Sequence, residues 1–208
     1  MHEELLPKGL LEVFKEGRRS TLEILVVYVL LEARKAAKLT QVEIARRMGV
    51  MESAVSRLES SLKNKFHLPL LNTLRKYTNE LGCRLEIKLT PIRKSPQMKI
   101  REKIIVDELL KAHDIVNADC NDVKEERMLF IEILKSRKLA KLTQAEVARR
   151  MGVNVSAISR MESTYKKKRY FPSVDTLHKY ADAVNCRLKI YINSPFTLKT
   201  NKILLNYR

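Results

Sequence analysis

The sequence predicts a mainly α-helical chain in which one small domain is used twice in tandem, each copy closed by a short β-strand. Three observations carry that reading. The string ARRMGV occurs at Ala45–Val50 and again at Ala148–Val153. A shift of 103 positions aligns Leu39–Thr90 with Leu142–Asn193 without a gap. Roughly half of the paired positions are identical, so a whole unit is duplicated rather than a short motif. Each copy then ends in an alternating apolar run, CRLEIKL or CRLKIYI, with the two-residue period of a strand.

Each copy starts with a long helix. Ser20 and Glu23 have the spacing of a capping box ahead of the apolar run LEILVVYVLLEARK, and Asn121 or Asp122 can cap NDVKEERMLFIEILKSRK. Thr40 with Glu43 and Thr143 with Glu146 form two further capping boxes, each opening a short helix that stops at Gly49 or Gly152. A third helix follows within two residues, over ESAVSRLES or VSAISRMES. Two short helices around a glycine turn make a helix-turn-helix. After a basic loop, Pro69 and Pro172 start a fourth helix. Its core positions Leu70, Leu74, Tyr77 and Leu81 match Ser173, a polar departure, then Leu177, Tyr180 and Val184. In the closing strand Leu85, Ile87 and Leu89 point one way, and Arg84, Glu86 and Lys88 the other. The expected organisation is an N-terminal helical segment (1–17), a first domain (18–91), a linker helix (92–118), a second domain (119–194) and a tail (195–208).

Composition narrows the function. Lys and Arg number 41 against 24 Asp and Glu, a formal charge of +17, and a surplus that large predicts a polyanionic partner. The N-terminus carries acids where a secretory signal needs bases. The longest apolar run, Ile24–Leu31, is far short of the about 20 residues that span a bilayer. The expectation is therefore a cytoplasmic, nucleoid-associated protein. Cys83, Cys120 and Cys186 lack the CxxC spacing of a zinc site, and three make no disulfide framework. Cys83 and Cys186 occupy equivalent positions and read as small buried apolar groups. His67 and His178 have no acids at catalytic spacing, and no nucleophile elbow or P-loop occurs. No enzyme, metal or cofactor is expected.

The continuous pattern TQxE(I/V)ARRMGVxxSA(V/I)SRxES, with a basic loop and P-x-x-x-T-L-x-K-Y behind it, resembles the lambda-repressor/Cro-like (XRE) class of helix-turn-helix regulators. The closing strands are similar to those of HigA-like antitoxins. The match covers about half of the chain and occurs twice. It implies two lambda-repressor-like domains that bind double-stranded DNA, with no cofactor. It also implies an ion pair between Arg34 and Glu59, and between Arg137 and Glu162, locking the first helix to the third.

The residues point to the same interface. Ala54, Val55 and Leu58 face inward by period, as do Ala157, Ile158 and Met161. The opposite face presents Glu52, Ser53, Ser56 and Arg57 in the first copy, and Asn154, Val155, Ser156, Ser159 and Arg160 in the second. Such a helix fits the major groove. Arg57 and Arg160 can each fork onto a guanine, worth about 1–3 kcal/mol of discrimination, or rest on phosphate. Gln41 and Gln144 open the second helix, where N–H groups and the dipole favour phosphate; the resemblance implies a backbone contact there too. Lys63 and Lys65, then Lys166, Lys167, Lys168 and Arg169, run along the backbone in the loops.

Duplication turns the usual dimer into one chain, or into a unit of a further homodimer. If the two closing strands pair antiparallel, both edges are satisfied and a pseudo-two-fold axis appears. The turns differ, Met51-Glu52 against Asn154-Val155, so an imperfect palindrome is expected. The leading function is a transcriptional regulator, a repressor. The alternative is an antitoxin that binds a toxin protein, with acids near Glu3, Glu4 and Glu12 facing it. A third reading, architectural binding, predicts a steep salt slope and little sequence preference.

Overall fold

The computed structural model of the chain describes residues 21–60, 70–93, 95–112, 121–163, 172–193 and 202–206. The first copy comprises α1 (Thr21–Ala36), α2 (Gln41–Met48), α3 (Glu52–Ser60), α4 (Leu71–Glu80) and β1 (Arg84–Pro91). The linker helix α5 (Pro96–Ala112) follows, and the second copy repeats the plan as α6 (Asn121–Leu139), α7 (Gln144–Met151), α8 (Val155–Glu162), α9 (Val174–Ala183) and β2 (Cys186–Asn193). A last strand, β3 (Lys202–Asn206), comes from the expected tail. The short run KILLN was its only sequence signal.

Local chemistry sets the helix ends. Thr40 accepts from Glu43 N, and Glu43 returns the bond to Thr40 N at 2.7 Å, a complete capping box. The second box is half made. Thr143 accepts from Glu146 N, but the Glu146 carboxylate turns to Arg149 at 2.8 Å and Arg150 at 3.0 Å, since charged donors outcompete a main-chain N–H. Gly49 and Gly152 close their helices at φ 64 and φ 66. Nothing lies within 4 Å of a Cβ built on either, so the constraint there is backbone, not space. Gly49→Ala and Gly152→Ala should therefore each cost about 1–2 kcal/mol, the price of a left-handed L-residue. Denaturant melts check this, and an unchanged midpoint would contradict it.

The fourth helices correct one expectation. Leu70 is 54% exposed and serves as the N-cap residue, bridging to Ser173 across the molecule. The core position is the next one, Leu71 or Val174. Ser173 is then no polar intrusion: its hydroxyl caps α9 by accepting from Thr176 N at 3.1 Å. Capping residues fall one step out of the apolar period, which displaced the phase.

The strands form one sheet in the order β1-β2-β3, antiparallel throughout. Ile87 lies opposite Ile190, its own counterpart in the repeat, and Leu85↔Ile192 and Leu89↔Leu188 are arranged symmetrically about that pair. A local two-fold axis therefore passes between Ile87 and Ile190. One apolar cluster runs through both copies, joining Leu30, Ile44, Leu74 and Leu89 to Ile133, Leu177, Leu188 and Ile190. A smaller cluster seats α5 on α6 through Ile105, Leu109, Phe130, Ile131 and Leu134. Ser95 caps α5 by accepting from Met98 N at 3.2 Å. The linker helix is thus packed against the second copy.

Candidate nucleic-acid interface

Each third helix is amphipathic, and its inner face anchors it. Val55 and Leu58 in α3, and Ile158 and Met161 in α8, are buried, with Ala54 and Ala157 half-buried. This leaves Glu52, Ser53, Ser56 and Arg57 exposed on α3. On α8, Val155, Ser156, Ser159 and Arg160 are exposed, with Asn154 just before them. Arg57 Nε donates to Ser53 O and Arg160 Nε to Ser156 O, both at 3.2 Å, so each guanidinium lies back along its helix toward the N-terminal turn. Asn154 occupies the N-cap position with no side-chain capping bond. Met51, which takes that place in the first copy, is 78% exposed.

A buried carboxylate fixes each third helix from behind. Glu59 accepts Arg34 Nε at 2.7 Å and Nη2 at 2.8 Å, in a two-pronged pair. Arg34 Nη1 donates to Leu39 O at 2.7 Å, tying in the turn before α2. The second copy repeats this with Arg137 on Glu162 at 2.6 and 2.8 Å and on Leu142 O at 3.0 Å. Two further members were not foreseen. Tyr77 OH donates to Glu59 at 2.5 Å, and Tyr180 OH lies 3.0 Å from Glu162. Gln41 Nε2 and Gln144 Nε2 donate to the same carboxylates at 2.7 and 2.8 Å. The glutamine side chains thus work inside the domain, bracing the carboxylates. The signal was available: Arg, Gln, Glu and Tyr are identical in both copies at one set of spacings.

Electrostatics follow from this geometry. Burial pushes the Glu59 carboxyl up, but hydrogen bonds from Arg34, Tyr77 and Gln41 outweigh it and hold the group below the usual carboxylate range. Burial, then the neighbouring carboxylate, raises both Tyr77 and Tyr180. Glu146 is held at about 2 by Arg149 and Arg150. Burial pushes the Cys186 thiol up to about 12, which suits a packed apolar group rather than a nucleophile.

The arginines of ARRMGV divide. Arg47 and Arg150 reach the carbonyls of Glu80 and Ala183 at 3.4 and 2.8 Å, against the ends of α4 and α9, where cations complement the helix dipole. Lys63, Lys65, Lys166, Lys167, Lys168 and Arg169, like His67 and Cys120, lie outside the described residues. His178 sits 3.3 Å from Asp182 on one helix face. Among the described residues no group of three or more His, Cys, Asp or Glu could hold a metal ion. No described helix is long and apolar enough to cross a membrane.

Residues 30–87 and 133–190 each match the helix-turn-helix family model, together more than half of the chain. The chain belongs to the helix-turn-helix family. The match is to the XRE type of that family. This helix-turn-helix chain is also similar to Antitoxin HigA1 of Mycobacterium tuberculosis, in strains CDC 1551 / Oshkosh and ATCC 25618 / H37Rv. Identity is 39% over 82 residues, covering 39% of this chain and 48% of each relative. The chain thus spans about half the length of the curated relatives it matches. No solved structure matches it.

Proposed function

We propose that the chain is a single-chain pseudo-dimer that binds one double-stranded DNA site with α3 and α8 together and represses transcription there. The observation that carries this reading is the Ile87–Ile190 register, which puts a two-fold axis between the copies. Recognition helices related by such an axis address half-sites about 34 Å apart, one helical turn. Within one chain the second contact forms at an effective concentration set by the tether, not by protein concentration.

Arg57, Ser53 and Ser56, with Arg160, Ser156 and Ser159, are the base-contacting residues of this reading. The starts of α2 and α7 and the basic loops through Lys63, Lys65 and Lys166–Arg169 hold phosphates. The heads differ where each helix enters the groove. Glu52 is suited to accept from cytosine N4, Val155 to touch a thymine methyl, and Asn154 to bond a base edge. The site is then an imperfect palindrome with unlike half-sites.

Selection of bound sequences from random DNA at two salt concentrations tests this. The wild type should yield unlike half-sites, and the M51N/E52V double variant should make them alike. Like half-sites from the wild type would sink the asymmetry. Bound pools without sequence preference and with a steep salt slope would make the chain an architectural binder. Likeness to Antitoxin HigA1 supports a second reading, in which the chain also neutralises a toxin protein. A small adjacent reading frame, toxic alone and harmless when co-expressed with this chain, is the expected result.

A further inference from the structure

The two-fold relation of the sheet leaves one space unmatched. In an antiparallel ladder alternate residues turn their N–H and C=O away from the partner strand. On β1, Leu89 N–H reaches Glu132 Oε2 at 3.0 Å, while Ile92 N–H just beyond it bonds Asn185 O at 3.1 Å. Leu85, Ile87 and Leu89 therefore face away from β2. Their counterparts Leu188, Ile190 and Ile192 face away from β1, and β3 pairs there, with Leu205 opposite Ile190 and Ile203 opposite Ile192. Among the described residues β1 has no such neighbour. Instead α6 packs directly on β1, whereas its counterpart α1 packs on β3.

The closure by α6 leaves a cavity of about 120 Å³ beside the outer edge of β1. Leu71 of α4, Leu85 and Ile87 of β1, and Met128 and Leu129 of α6 form its apolar wall. Three cations, Arg75, Arg84 and Lys88, line it against two acids, Glu86 and Glu132. Both acids are engaged. Glu86 lies 2.8 Å from Lys88 Nζ, and Glu132 holds Lys135 Nζ at 2.7 Å and Leu89 N–H at 3.0 Å. The outward N–H groups of Leu85 and Ile87 add donors to this lining, in which three cations against two acids leave a surplus of positive charge.

We propose that this cavity is a binding site for a small organic carboxylate with a compact branched or aromatic body. An apolar cavity of about 150 Å³ takes a benzene-sized molecule, so this somewhat smaller one takes an apolar body of no more than about six non-hydrogen atoms, with the carboxylate at its polar rim. A strand like β3 extends about 17 Å and does not fit. The cavity also lies on the seam between the copies, since α4 and β1 belong to the first and α6 to the second. Lys135 bonds Glu102 of the linker helix at 3.0 Å as well, joining a third element to the same wall. A bound ligand touches both copies and favours the arrangement that forms its site. Only this consequence for DNA rests on the two-headed reading above.

The test titrates benzoate, isovalerate, benzylamine and toluene into the full chain while the amide resonances are followed. Benzoate and isovalerate should shift Leu85 and Ile87 saturably with Kd about 1 mM or tighter, and the other two about tenfold more weakly. Arg75→Gln should lose that preference while still responding to toluene. Met128→Trp, at a position 42% exposed, should fill the space and abolish all responses without lowering the melting temperature. No saturable shift with either carboxylate overturns the site, and so does equal binding of all four probes. A peptide of residues 200–208, TNKILLNYR, saturating the same amides would make the edge a strand acceptor instead. Benzoate should also change affinity for a selected DNA site about 5- to 150-fold; unchanged affinity, with ligand bound, overturns the coupling alone.

Discussion

Glu162→Ala is expected to destabilise the chain by about 3–5 kcal/mol, the cost of removing one partner from a buried ion pair. The magnitude follows from what the carboxylate holds. Glu162 is 5% exposed and collects Arg137, Gln144 and Tyr180 from three helices. Without it a guanidinium at 16% side-chain exposure loses both prongs of its pair. Of the 5–15 kcal/mol that typically holds such a fold, roughly a third would go. Glu162→Gln keeps the shape and some hydrogen bonds and should lose less, and Tyr180→Phe about 1 kcal/mol. Because one apolar cluster joins the copies, denaturant unfolding should stay a single transition that shifts as a whole. A loss for Glu162→Ala no larger than for Tyr180→Phe would refute the keystone role.

Acid should act on the equivalent group. The Glu59 pKa is depressed in the folded state, so its contribution is fully present above the ordinary carboxylate value near 4.3. It is lost as pH falls through the lower folded value. A Glu59→Gln variant should therefore melt with a flatter pH dependence than the wild type below about pH 4.5.

Both helix-turn-helix units were legible because each element carried its own local rule. The Thr–Glu spacings, the glycine stops and the alternating CRLEIKL strand state helix starts, helix ends and a sheet without reference to distant residues. Repetition made the pattern independent of any single position. The Arg34–Glu59 pair came from resemblance, since 25 positions of separation give periodicity nothing to read. The roles of Gln41 and Tyr77 escaped because a glutamine at a helix start and a tyrosine in an apolar row each have a sufficient local explanation. Their shared partner exists only after folding. What broke the symmetry was also illegible: β3 pairs on β2, while Glu132 caps β1 where the first copy has Val29. Neither difference disturbs a local rule, so only the packed sheet reveals it.

Silencing one reading head should cost far more DNA affinity than its contacts suggest. In the Arg160→Ala/Ser156→Ala variant the second head loses its guanine fork, about 1–3 kcal/mol on that half-site. Once that half-site no longer engages, the tether's gain of about 10²–10⁴-fold in affinity goes with it. The equivalent Arg57→Ala/Ser53→Ala variant should behave alike, because in the proposed pseudo-dimer the axis between Ile87 and Ile190 relates both heads to one site. The two losses should not add. After one head is silent the chain binds as a monomer, and silencing the other removes only the remaining half-site contact. All four substituted positions are exposed, so melting temperatures should stay at the wild-type value and separate lost recognition from lost fold. Band-shift affinities for wild type, each variant and the combination decide the matter. Additive losses of a few kcal/mol at most, with no penalty beyond the deleted contacts, would mean the heads bind independently and the two-fold arrangement does not serve one site.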